Sequence, residues 1–109
     1  MLPSGNDASL VLAENFGRYL WAESVKSSIK SLKEFCEKDP YDPEYSKYCI
    51  VRFVKRMNYE NQKLRLVNSH YTNPHGLSDK ANISSAQDVI RLTMLALKFP
   101  IFVEIVNKY

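Results

Sequence analysis

Residues 44–65 read EYSKYCIVRFVKRMNYENQKLR. Tyr45, Cys49, Phe53, Met57 and Leu64 recur at near-regular helical spacing, and Arg52, Lys55, Arg56 and Lys63 fall where they face water or reach acidic partners. The pattern predicts one long amphipathic helix ending near Arg65. A chain built around such an element is expected to be mainly α.

C-terminal to this helix, residues 66–72 are short and β-tolerant, with Val67 and Tyr71, and the stretch 66–77 admits a short edge strand or hairpin. Asn73-Pro74-His75-Gly76 fits a type I turn, with Asn first, Pro second and Gly fourth. Ser84 or Ser85 can cap a following helix, with the side chain three residues on reaching back. That helix runs through Val89, Leu92 and Leu95 and breaks at Pro100. A last short helix over 101–107 exposes several apolar side chains unless something covers them, which would offer a surface for self-association.

N-terminal to residue 44, Lys38 to Pro43 is a loop with Pro at positions 40 and 43. A helix is expected from Tyr19 to Glu37, with Trp21, Val25, Ile29, Leu32 and Cys36 on one face. Before it, Asp7 to Phe16 forms a short helix with Asn6 as N-cap, and Gly17 ends it.

At 109 residues the chain is one domain's worth or part of a larger one. Apolar residues at 45% and charged residues at 25% exclude disordered and fibrous classes. The net charge of +3 is spread from Arg18 to Lys108, which argues for a solvated surface and against nucleic acid as a partner. Lys98 and Pro100 interrupt the last apolar stretch, so no membrane span is expected. Met1 leads straight into a polar turn, with no signal peptide expected.

Several strings carry more than composition. Ser4-Gly5-Asn6-Asp7-Ala8 is followed by Leu12-Ala13-Glu14. Phe53-Val54, Met57-Asn58, Leu64, Leu66, Ser69, Tyr71 and Asn73-Pro74-His75-Gly76-Leu77 come next, and Ser84-Ser85-Ala86-x-Asp88 closes the series. Together these resemble the serine-type D-alanyl-D-alanine carboxypeptidases, the low-molecular-mass penicillin-binding proteins. The resemblance covers residues 1–16 and 53 to about 100. It leaves residues 17–52 as an unmatched, longer helical insertion in one partial carboxypeptidase-like domain spanning 1–109.

The resemblance implies the helical portion of the β-lactamase/transpeptidase-like, penicillin-recognising α+β fold. It implies a parent that hydrolyses the terminal D-Ala from peptides ending in D-Ala-D-Ala, takes β-lactams at the same site, uses no cofactor or metal, and works outside the cytoplasm. Carried over residue by residue, Ser4 is an auxiliary that helps pass protons, and Asn6 orients the catalytic lysine and the substrate amide. Asn73, Pro74, Gly76, Ser84 and Asp88 are structural landmarks.

The family also needs a Ser-x-x-Lys nucleophile motif and a Lys-Thr-Gly strand. No glycine here follows Lys-Thr or Lys-Ser, and the one literal Ser-x-x-Lys, Ser27 to Lys30, comes after the Ser-Gly-Asn string instead of before it. Ser27 is therefore read as an exposed helix residue. A chain with the auxiliaries and no nucleophile is expected to be an inactive fragment, or a non-catalytic helical binding domain derived from the fold.

Arg65 stands where the family has a glycine that takes the left-handed conformation at a helix end. Cys36 and Cys49 flank the proline loop, which leaves two readings: a disulfide worth about 3 kcal/mol, or two buried free thiols. His70 and His75 have no thiol or carboxylate at a familiar ligand spacing, and no metal site is expected.

Overall fold

The computed structural model describes residues 4–26, 37, 39 and 42–108. Four helices are present among them: α1 (Asn6–Val25), α2 (Pro43–Lys63), α3 (Ala86–Ala96) and α4 (Pro100–Asn107). The chain is mainly α, as its periodicity predicts.

The helix expected to stop at Gly17 does not. α1 runs unbroken for 20 residues, with Gly17 buried in its middle. Tertiary packing supplies the reason. A β-carbon on Gly17 would overlap the Cys49 carbonyl oxygen and lie 2.6 Å from the Cys49 carbonyl carbon, so the bare glycine lets the α1 and α2 backbones touch. That contact outweighs the roughly 1 kcal/mol glycine costs inside a helix. Tyr19 to Val25 thus belong to α1, and residues 27–36 of the expected second helix lie outside the described residues.

Around this point α1 and α2 bury their common side. Ala13 and Cys49 have no exposed surface, and Tyr45 is nearly covered. Trp21 packs its ring against Tyr45 at 5.4 Å and Tyr48 at 4.4 Å between centroids, and Phe16 meets Phe53 at 6.4 Å. Two side-chain hydrogen bonds cross the pair among the described residues: Ser46 Oγ donates to Glu14 Oε1 at 2.7 Å, and Arg52 Nη1 donates to Ser24 Oγ at 3.1 Å.

α2 begins one residue earlier than the periodicity implied. Asp42 is the N-cap, its carboxylate accepting from Glu44 N–H at 3.0 Å, and Pro43 enters the first turn, where a missing N–H costs nothing. Its C-terminus is a Schellman motif: Leu66 N–H bonds to the Asn61 carbonyl at 2.8 Å and Arg65 N–H to the Gln62 carbonyl at 3.1 Å. Arg65 takes φ +58° to close it, doing as an arginine what a glycine does without strain. Leu66, 2% exposed, plugs the base of the turn.

The edge strand admitted for residues 66–77 is absent among the described residues. A single antiparallel bridge remains, His70 with Ile83, exchanging both backbone hydrogen bonds at 2.8 and 2.9 Å. Side chains, not a ladder, hold this segment.

α3 starts from Ser85, whose hydroxyl accepts from Asp88 N–H at 3.2 Å, and α4 starts at Pro100. Both helices leave apolar side chains in water, including Ile90, Met94 and Leu97 on α3 and Ile101 and Ile105 on α4. No described helix is long and apolar enough to cross a membrane.

Candidate functional site

Ser4 and Asn6 sit together at the mouth of α1. Ser4 Oγ donates to Asn6 Oδ1 at 3.0 Å. Asn6 is not the N-cap expected of it. Gly5 holds that position without a side-chain cap, its carbonyl accepting from Ser9 N–H at 2.8 Å, and Asn6 is the first helical residue. The reason is local: with its oxygen engaged by Ser4, the Asn6 amide does not turn back to the helix backbone.

Chemically, this pair is an exposed hydroxyl and an oriented carboxamide. The Ser4 oxygen keeps lone pairs to accept a proton, and the Asn6 Nδ2 group keeps two donors to present to a ligand. Neither group is a nucleophile with a base beside it.

The landmarks form a second group. Asp88, 4% exposed, gathers the loop that follows α2: its Oδ2 accepts from Asn68 N–H at 2.9 Å and from Ser69 Oγ at 2.8 Å. Ser84 Oγ shares a 2.7 Å hydrogen bond with Ser69 Oγ. The sequence suggested that the side chain three residues after the cap reaches back to it. The Asp88 carboxylate turns away instead, to the two loop donors.

Asn58 makes the complementary clamp. Its Nδ2 donates to the Tyr71 carbonyl at 2.7 Å and its Oδ1 accepts from Tyr71 N–H at 2.8 Å, so one side chain stands in for a neighbouring strand. In the sequence, Asn58 and Ser69 stand out only as positions of the family resemblance. The available signal was an asparagine beside the apolar stripe of a long helix, where its side chain competes with the helix unless it bonds elsewhere.

The Asn73–Gly76 turn is also closed by a side chain. Gly76 N–H donates to Asn73 Oδ1 at 2.8 Å, not to the backbone oxygen of a type I turn, and Asn73 Nδ2 donates to the Leu77 carbonyl at 3.0 Å. Gly76 takes φ +82°, which places it in the region glycine favours. Pro74 lies between them, presetting the bend.

No hydrogen bond or ion pair joins the Ser4–Asn6 pair to the Asp88 group among the described residues. His70 lies in the bridge, and His75 accepts from Leu77 N–H through Nδ1 at 3.2 Å. Cys36, Ser27 and Lys30 lie outside the described residues. Cys49 carries a free, buried thiol. Burial pushes that thiol above its ordinary range, with the Tyr45 hydroxyl pulling the other way.

An apolar cavity of about 290 Å³ lies against α2, lined by Phe53, Met57, Leu64 and Tyr71 of the α2 side and Leu92 of α3. Asn61, 5% exposed, also lines it, and its Nδ2 has no hydrogen-bond partner among the described residues.

No curated protein and no solved structure matches this chain. The sequence model of the D-alanyl-D-alanine carboxypeptidases, peptidase family S11, matches residues 49–107, a span that holds the Asn58 clamp, the Asn73–Gly76 turn and the Asp88 hub but not Ser4 or Asn6. With more than half its length in that match, the chain belongs to the D-alanyl-D-alanine carboxypeptidase family.

Proposed function

We propose that this chain is the helical side of a D-Ala-D-Ala carboxypeptidase domain of the penicillin-recognising fold, and that it does not catalyse acyl transfer alone. In the complete parent, a serine attacks the carbonyl of a peptide ending in D-Ala-D-Ala, D-Ala leaves, and water hydrolyses the acyl-enzyme. Ser4 and Asn6 serve that reaction as auxiliaries. Ser4 exchanges a proton, and Asn6 presents its amide to the substrate.

The observation that carries this reading is the family match over residues 49–107 in a chain without Lys-Thr-Gly and with its lone Ser-x-x-Lys after Ser4-Gly5-Asn6. The unpartnered Asn61 amide beside an apolar cavity also supports it, since a buried donor of this kind calls for an acceptor from further polypeptide.

Incubation with a fluorescent penicillin tests the reading. The isolated chain is expected to stay unlabelled. A covalent adduct on Ser27, Ser4 or any other serine overturns it.

A second reading, a non-catalytic interaction domain, draws on the exposed apolar side chains Ile101, Phe102, Ile105 and Val106 of α4. Light scattering over a range of concentrations separates self-association from a monomer.

A further inference from the structure

We propose that the groove where α1 meets α2 carries a binding site for a dianionic phosphate group, separate from the carboxypeptidase chemistry. A cavity of about 460 Å³ opens there, lined by Leu20 of α1 and by Tyr48, Arg52, Lys55, Arg56 and Tyr59 of α2. Three of the six lining residues are cations, and none is an acid.

The charges do not cancel. Arg56 is the one that meets a carboxylate, its Nε lying 2.7 Å from Glu60 Oε1. Among the described residues Arg52 is bonded only to neutral oxygens: Nε and Nη2 donate to the Tyr48 hydroxyl at 3.1 and 2.8 Å, and Nη1 donates to Ser24 Oγ at 3.1 Å. Lys55 has no ion pair among the described residues. Two net positive charges face the cavity, which matches the charge of a phosphate monoester near neutral pH.

The site is also held in place before any ligand arrives. The Tyr48 ring packs on Trp21 at 4.4 Å, and Tyr48 with Ser24 fixes the Arg52 guanidinium while leaving one hydrogen on each of Nη1 and Nη2 unused. Arg56, tied through Nε, keeps both terminal nitrogens for a ligand and rests 5.5 Å from the centre of the Tyr59 ring. Two guanidinium forks and an ammonium lining one groove suit a phosphate's several acceptor oxygens. Preorganisation of this kind lowers the ordering cost of binding. Leu20 and the Tyr59 ring form an apolar floor for whatever body the phosphate is attached to.

Titration of the full chain with inorganic phosphate at about pH 8, where it is a dianion, followed by the arginine Nε–H resonances, tests the site. Saturable shifts at Arg52 and Arg56 are expected. Lys55→Gln, an exposed change that leaves the packing intact, and Arg52→Gln should each weaken binding about tenfold. Lys47→Gln, which alters an exposed lysine paired with Glu44, should leave it unchanged. Absence of saturation overturns the proposal, as does equal weakening by Lys47→Gln. Phosphatidylcholine vesicles containing phosphatidic acid form a second arm: sedimentation with them, competed by inorganic phosphate, identifies a lipid headgroup as the source, and phosphate binding without sedimentation identifies a free phosphate ester.

Discussion

Gly17 of α1 lies so close to Cys49 of α2 that a β-carbon on the glycine would overlap the Cys49 carbonyl oxygen. The contact is backbone to backbone, and neither helix has a flexible side-chain end there that could yield. Gly17→Ala is therefore expected to destabilise the chain by about 3 kcal/mol, despite alanine's higher helix propensity. Urea unfolding of the two proteins measures the difference. A neutral or stabilising substitution would mean the helices are not packed this way.

Arg65 gives the opposite sign. It holds φ +58° to complete the Schellman motif, and its side chain is exposed. The hydrogen bond that reaches this residue from α3, Arg91 Nη1 to the Arg65 carbonyl at 3.1 Å, uses the backbone and survives substitution. Relief of left-handed strain, less the extra chain entropy of glycine, makes Arg65→Gly stabilising by about 1 kcal/mol. A rise of roughly 5 °C in Tm is the expected reading. Arg65→Ala should give no such gain, since alanine keeps the strain.

Asp88 is the acceptor on which the loop after α2 depends. Removing it in Asp88→Ala strands the Asn68 N–H and leaves the Ser69 hydroxyl with its bond to Ser84 alone, at a cost of about 1–2 kcal/mol. Amide hydrogen exchange provides a local readout. Exchange at Asn68 should accelerate more than at the amides of α1, which have no part in the hub.

Cys49 makes stability depend on alkaline pH. Burial raises both the Cys49 thiol and the Tyr45 hydroxyl above their ordinary values, so the folded chain keeps protons that the unfolded chain has released. The contribution is complete below the unfolded thiol's pKa of about 8.5 and is lost as pH rises from there toward the folded values. Urea midpoints should be level between about pH 6 and 8 and fall through about pH 9 and above. Cys49→Ala should be less stable throughout but should fall less steeply.

The helical character of the chain was legible in residue spacing, because periodicity reports which positions share a face. The limits of α2 were legible to within about two residues, from the spacing that begins at Glu44 and from the Arg65 position that the family fills with glycine. Gly17 was misread for a physical reason: a glycine that ends a helix and one that lets a second helix approach look the same until the partner is present. The landmark residues were recognised as matches, but their roles were not. Asn58 reaches Tyr71 across 13 residues and Asp88 reaches Asn68 across 20, and such bonds depend on how the loop folds back.

By itself, the sequence determined the mainly helical class, the turn at Asn73–Gly76 and the family, since each follows from local residue order. Tertiary structure alone decided that α1 passes through Gly17, that the expected strand is one bridge held by Asn58 and Asp88, and that Ser24 of α1 meets Arg52 of α2. Those outcomes depend on which backbones touch and which buried donors find acceptors, and no local pattern encodes either.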